Sequence, residues 1–287
     1  MTPDLTPAII TFIVVFAGLI GLVIGSFLNV VVYRVPAGIP LTRESRCPHC
    51  DAPVRWWQNV PVVSWIALRG KCASCEAPIS VRYPLVEAFT GVAFAGVTWF
   101  FLAGDVSSRF ARSTTDETEW AALAVVIVAF LYFAAVSIAL TLIDLDTHRL
   151  PNSIVLPSYL VAIVLFTGAC LLGADWWALL RAGIGMVALY GFYFALRLIR
   201  PDGMGGGDVK LAGVVGMYLG WLGWGALAVG AFAAFVLGGI FGLALIGAKK
   251  AGRRTAIPFG PWMIAGAWTG VFTGELVGRF YGGLYVS

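Results

Sequence analysis

Two kinds of side chain in this sequence of 287 residues are placed to do chemistry. The first is cysteine. Four of the five cysteines fall as Cys47-Pro48-His49-Cys50 and Cys72-Ala73-Ser74-Cys75, two CxxC pairs with 21 residues between them. Each pair lets two thiolates approach one ion from a tight turn, the pattern of a structural zinc site. Four thiolates close the tetrahedron and leave no open position for catalysis. Two disulfides or reactive thiols are the competing readings, and a cytoplasmic loop, kept reduced, argues against disulfides. His49 is a bystander in this reading. Cys170, inside an apolar run, reads as a small buried residue.

The second kind is carboxylate. Asp144 and Asp146 close an apolar stretch and lead into Thr147-His148-Arg149-Leu150-Pro151-Asn152. Asp208 follows Gly205-Gly206-Gly207, and Glu87 follows Arg82-Tyr83-Pro84. Taken singly, each has a bland role: a helix cap for Asp208, a solvated pair with Arg149 for Asp144 or Asp146, a cap or a loop ion pair for Glu87. The glycine run is no phosphate loop, because it follows an apolar helix rather than a strand and lacks the full glycine spacing. Taken together, Asp144 and Asp208 come from two helices, 64 residues apart in sequence, at one membrane face. Glycines beside Asp208 let its backbone approach another helix or an extended peptide. Two facing carboxylates share a proton, so one acts as base and the other as acid around a bound water. That arrangement hydrolyses a peptide bond with neither a metal nor a nucleophilic side chain.

These residues need elements to position them, and the composition says which. The chain is 60% hydrophobic and 12% charged, against about 25% charged in an ordinary soluble domain. A soluble enzyme and a disordered chain are both excluded. Charge-free stretches of 29, 17, 24, 25, 15, 38 and 20 residues run along the sequence. A crossing takes about 20 residues. The stretch of 38 therefore holds two crossings, with a turn and interfacial tryptophans at Gly220-Trp221-Leu222-Gly223-Trp224. The fold class is an all-α polytopic membrane protein of about eight transmembrane helices. Its parts are a first helix at 8–33, a cytoplasmic zinc-binding loop domain at 34–83 and a membrane core at 84–287. Of the 19 Lys and Arg, 15 fall on one face, which is cytoplasmic, and 4 on the other. Both termini are then outside. Met1 to Pro7 carries one charge, Asp4, and no basic residue, so the first helix is expected to be retained rather than cleaved. No internal repeat stands out. A polar outer loop is expected at 105–119.

With these motifs in order, the sequence resembles the type IV prepilin peptidases, GxGD-type membrane aspartyl proteases. The resemblance rests on Gly25 to Arg34, the paired CxxC loop with Trp56 to Pro61 and Ile79 to Glu87, Asp144 to Asn152, Gly205 to Lys210, and Ile257-Pro258-Phe259-Gly260-Pro261. It implies two reactions at the bacterial inner membrane. A basic leader is cut from type IV prepilins and type II secretion pseudopilins after a Gly, on the cytoplasmic side. The new N-terminal amine is then methylated from S-adenosylmethionine. It implies Asp144 and Asp208 as the catalytic pair, with Asp146 competing for the first role. Asp144 is preferred because the family's acid stands seven residues before the motif's proline, here Pro151. Asn152 stands where many relatives carry Asp.

Membrane lipid surrounds such a protein, and nothing points to nucleic acid. Asn29 and Glu87 flank the cysteine loop at membrane depth and have no part in the aspartate chemistry, so they are the candidates for methylation. Glu87 there would hold or deprotonate the amine; hydrogen bonding between the first two helices is the plain alternative. A proton-coupled transporter with Asp144, Asp208 and Glu87 as a relay is the competing function. An assembly protein with the loop as docking module is a third. Cleavage of a prepilin by the purified protein separates all three.

Overall fold

The structure of the protein, a computed structural model, describes residues 6–103, 117–200, 204–248 and 258–286. Eight long helices are described: α1 (Pro7–Arg34), α2 (Arg82–Ala103), α3 (Glu117–Thr147), α4 (Asn152–Leu171), α5 (Trp176–Ile199), α6 (Gly206–Leu222), α7 (Trp224–Gly247) and α8 (Gly260–Val286). Six of them, α1 to α5 and α7, are long and apolar enough to cross a membrane. The expected outer loop is already helical from Glu117. Its earlier residues lie outside the described ones, as do Lys249, Lys250, Arg253, Arg254 and Ile257.

Local sequence sets the ends. Pro7 opens α1, where its missing N–H is not needed. Asp175 caps α5, its side chain accepting from the Trp177 N–H at 3.0 Å. The 38-residue stretch breaks at Gly223, between α6 and α7. Trp224 there is half exposed, but Trp221 is fully buried and stacks on Phe166 with ring centroids 4.3 Å apart. The expectation of two interfacial tryptophans is corrected: the Trp221 ring belongs to the core.

The chain forms two units. One comprises residues 1–115 and 130–139, and so holds α1, α2, the cysteine loop and the middle of α3. Its seam is the α1–α2 contact. A Cβ on Gly21 would lie 2.7 Å from the Thr90 carbonyl oxygen, and one on Gly25 2.7 Å from the Glu87 Cα. Small residues thus bring the two backbones together, the usual device where no hydrophobic effect separates helix from lipid. At the end of α1, Arg34 is buried, and its guanidinium donates to the Leu41 carbonyl at 2.9 Å, to the Arg43 carbonyl and to Ser45 Oγ at 3.2 Å. The loop is tied to the helix end by that one side chain.

The other unit comprises residues 116–129 and 140–287. Helix α6 is its centre, with every residue from Leu211 to Trp221 buried. A helix apolar on all sides must be enclosed, and α6 is enclosed by its own unit. Gly216 meets Gly185 of α5 backbone to backbone. The Tyr159 hydroxyl of α4 lies over Gly213 and donates to the Lys210 carbonyl. Arg181 of α5 donates to the Gly220 and Trp221 carbonyls, each at 2.7 Å, and so closes the C-terminal end of α6.

Candidate active site and metal centre

The second unit brings Asp144 and Asp208 together. Asp144 lies in the last turn of α3 and is 5% exposed. Its Oδ2 accepts from the N–H of Gly260, the first residue of α8, at 3.1 Å. Asp208 is the third residue of α6, and its Oδ2 accepts from the Gly205 N–H at 3.1 Å. This is the reach-back half of a capping box, so the capping role weighed for Asp208 is real. It occupies one oxygen. The two carboxyl groups are close enough to act on each other electrostatically. Asp146, two residues on from Asp144, is exposed.

Glycine makes the approach possible. A Cβ on Gly207 would stand 2.7 Å from the Leu150 Cβ, and one on Gly260 2.7 Å from Asp144 Oδ2 and 3.5 Å from Leu150 Cδ1. Leu150 thus wedges between the glycine turn and the start of α8. Lys210 Nζ donates to Asn152 Oδ1 at 2.9 Å, which ties α6 to α4 just behind the acids. Tyr193 of α5 is buried, interacts with Asp208, and packs on Phe235 and Phe259 at 5.5 and 6.0 Å. Sequence reasoning missed Leu150, Tyr193 and the amide of Gly260. Only Gly260 carried a signal, as part of the Pro258-Phe259-Gly260-Pro261 run on which the resemblance rests.

The first unit gathers the cysteines. The sulfurs of Cys47, Cys50, Cys72 and Cys75 all lie within 4.8 Å of one another, and all four are free thiols. The Cys47 and Cys75 sulfurs are 3.8 Å apart. Tetrahedral ligands at the zinc–thiolate bond length stand about 3.8 Å apart, whereas a disulfide needs about 2.05 Å. The donor set and spacing fit a metal ion. The Cys72 thiol is held down at about 6 because its sulfur faces the backbone N–H groups of Cys75 and Ser74. His49 is not in the cluster.

The loop also corrects the view that the chain has no repeat. Arg46-Cys-Pro-His-Cys-Asp-Ala-Pro53 and Lys71-Cys-Ala-Ser-Cys-Glu-Ala-Pro78 are one eight-residue pattern used twice. Each copy closes by an antiparallel bridge, Arg46 with Pro53 and Lys71 with Pro78. Each has a positive φ after its second cysteine, 55° at Asp51 and 58° at Glu76. Each pairs its base with that acid, Arg46 with Asp51 at 3.1 Å and Lys71 with Glu76 at 3.8 Å.

Beside the cysteines the same unit encloses a cavity of about 530 Å³, lined among others by Ser26, Asn29, Arg34, Gln58, Trp65 and Glu87. Asn29 Nδ2 donates to the Tyr83 carbonyl at 3.2 Å, a bridge from α1 to α2. Among the described residues Glu87 makes no such bridge. It is buried, and its Oε2 accepts from the Val62 N–H of the loop at 2.7 Å.

A many-helix membrane protein that pairs two carboxylates in one unit and clusters four thiols in another defines a narrow class, and the comparisons agree. The Bacterial Peptidase A24 N-terminal domain matches residues 19–101, and the Type IV leader peptidase family matches residues 131–243. A prepilin leader peptidase/N-methyltransferase of Stutzerimonas stutzeri is 33% identical, with 93% of each chain covered. One of Neisseria gonorrhoeae is 36% identical, with 91% of each covered, and one of Aeromonas hydrophila 33%, with 92% of this chain and 91% of that one covered. No solved structure matches. The chain belongs to the prepilin leader peptidase/N-methyltransferase family, and it is a multi-pass membrane enzyme with a peptidase and a methyltransferase activity. The transporter and assembly readings give way to it.

Proposed function

We propose that Asp144 and Asp208 are the catalytic pair, and that they cut the basic leader from type IV prepilins and pseudopilins after a Gly at the cytoplasmic face. One observation carries this reading. Two carboxyl groups, from the end of α3 and the start of α6, lie close enough to act on each other electrostatically, each held through one oxygen by a glycine N–H. The remaining oxygens are the ones asked to hold water. The ionised carboxylate takes a proton from that water as its oxygen attacks the scissile carbonyl carbon. The protonated partner gives its proton to the carbonyl oxygen. The C–N bond then breaks, and the amine leaves with a proton returned from the first carboxyl group. Microscopic roles belong to the pair rather than to either residue.

All eight long helices cross the membrane in this reading, with both termini outside and the loop at 34–83 in the cytoplasm. Cys47, Cys50, Cys72 and Cys75 would hold zinc, which would supply a crosslink that folds the loop and would take no part in cleavage. The cavity lined by Asn29 and Glu87 receives S-adenosylmethionine, which supplies an electrophilic methyl group on a sulfonium sulfur. Its volume lies within the range of small-molecule sites, about 300–1,000 Å³. A polar donor made in the cytoplasm reaches it from the loop side. The family relationship and the thiol geometry support these assignments.

The test is cleavage of a purified prepilin by the purified protein, read by mass spectrometry for a product shortened at Gly and then one methyl heavier. A chain that leaves the prepilin intact, while folded and metal-loaded, would sink the reading.

A further inference from the structure

Val62, in the loop beside the cavity, holds a strained conformation. Its φ is 61° and its ψ −49°. The Val63 N–H reaches back to the Pro61 carbonyl at 2.6 Å. Together these make a three-residue γ-turn with a positive φ at its centre, the rare and strained form. A β-branched residue there is an outlier. Such a conformation persists only where its surroundings over-determine it, and it points to a functional constraint.

The surroundings are on hand. The Val62 N–H donates to Glu87 Oε2 at 2.7 Å, a hydrogen bond to a buried group. Glu87 itself cannot drift, because its Cα packs on Gly25 at the α1–α2 seam. The turn feeds directly into the short helix Val63–Ala67. That helix carries Ser64 and Trp65 into the cavity wall, where Trp65 Nε1 donates to the Ile79 carbonyl at 3.1 Å. One carboxylate oxygen thus connects the membrane helices to the loop wall.

We infer that Glu87 is a positioning residue for methyl transfer, holding the Pro61–Val62–Val63 turn and with it the loop wall of the cavity against α1 and α2. The inference rests on the methyl-donor reading of that cavity. It assigns Glu87 a role through Val62 rather than as the base that deprotonates the amine.

Three variants separate the roles. Glu87→Gln keeps an oxygen for the Val62 N–H and removes the charge. Glu87→Ala removes both. Val62→Gly removes the steric cost of the positive φ, so the turn needs no prop. The readouts are the dissociation constant of S-adenosylmethionine on the full chain and hydrogen exchange across residues 60–66 without ligand. Glu87→Ala is expected to weaken donor binding about tenfold, the equivalent of one lost hydrogen bond, and to speed exchange in the turn. Glu87→Gln, which still offers an acceptor to the Val62 N–H, is expected to lose less affinity than Glu87→Ala. Adding Val62→Gly to Glu87→Ala is expected to recover most of the affinity.

Parental affinity and slow exchange in Glu87→Ala would overturn the inference. So would loss in Glu87→Gln as large as in Glu87→Ala with the turn still protected, because the charge would then act on the substrate directly. A parent chain that binds no donor would instead overturn the methyl-donor reading, and the functional half of the inference with it. The exchange result shows separately whether Glu87 holds the turn.

Discussion

At the scale of single residues, the chemistry turns on which oxygen is held and which is left to work. Asp144 and Asp208 are each gripped by one glycine N–H. In the proposed mechanism Asp144→Asn and Asp208→Asn keep that acceptor and lose the shared proton, so each is expected to cut the cleavage rate by about a thousandfold or more. Insertion and metal content should be normal. Asp146 is exposed, and Asp146→Asn is expected to cost less than about tenfold. Rates of leader removal for the three variants decide this, and a reversed order would move the role to Asp146. Gly260→Ala probes the geometry rather than the charge. The new methyl would stand 2.7 Å from Asp144 Oδ2 and push the carboxyl aside. A displacement of about 1 Å costs about a hundredfold in rate, so a folded Gly260→Ala chain that cleaves normally would show that this contact does not align the acid.

At the scale of elements, the cysteine loop and the helix seam carry the load. The loop buries little of its apolar surface, with Val54, Trp56, Val63 and Ile66 exposed, and a chain segment of that size needs a staple. Two copies of one knuckle, each with its bridge and its base–acid pair, bring four thiols together. About one zinc per chain is expected on metal analysis. Replacing Cys72 and Cys75 by Ser is expected to release it and to open the loop to added protease at low concentration. A metal-free chain with a protease-resistant loop would remove zinc from the account. The exposed base–acid pairs contribute little by themselves. Along the seam, Gly25→Val places atoms where Glu87 and Thr90 already stand. Overpacking of this kind costs about 1–3 kcal/mol, and thermal unfolding in detergent should fall accordingly. Gly18→Val meets its neighbours only at 3.5 Å and should be milder, a comparison that separates close packing from a general intolerance of α1.

At the scale of the whole molecule, the lengths of the helices agree with where the acids sit. Helix α3 has 31 residues, about 46 Å, while the hydrocarbon core is about 30 Å thick. It is long enough to cross and still carry Asp144 to the interface in its last turn. With eight crossings, a reporter active only outside the cytoplasm should work when fused after Ser287 and fail when placed in the loop at 34–83. Activity at the loop and silence at the C-terminus would reverse the orientation. The sequence by itself determined the helical class, the long apolar elements, the thiol cluster and the two acid motifs. Those are properties of composition and spacing: apolar runs have to be helices in lipid, and four cysteines at knuckle spacing have few uses. It also revealed that Asp144 and Asp208 belong to different helices, but not that they meet. Only the tertiary structure decided that, because the meeting depends on Leu150 fitting between two glycines and on the Gly260 N–H arriving from 116 residues away. The structure also buried Trp221, which a helix-end tryptophan pattern had placed at the interface. It turned Glu87 toward a strained Val62 that no propensity would put at positive φ. Contacts of that kind are set by the shape of the partner surface, and a one-dimensional pattern carries no record of it.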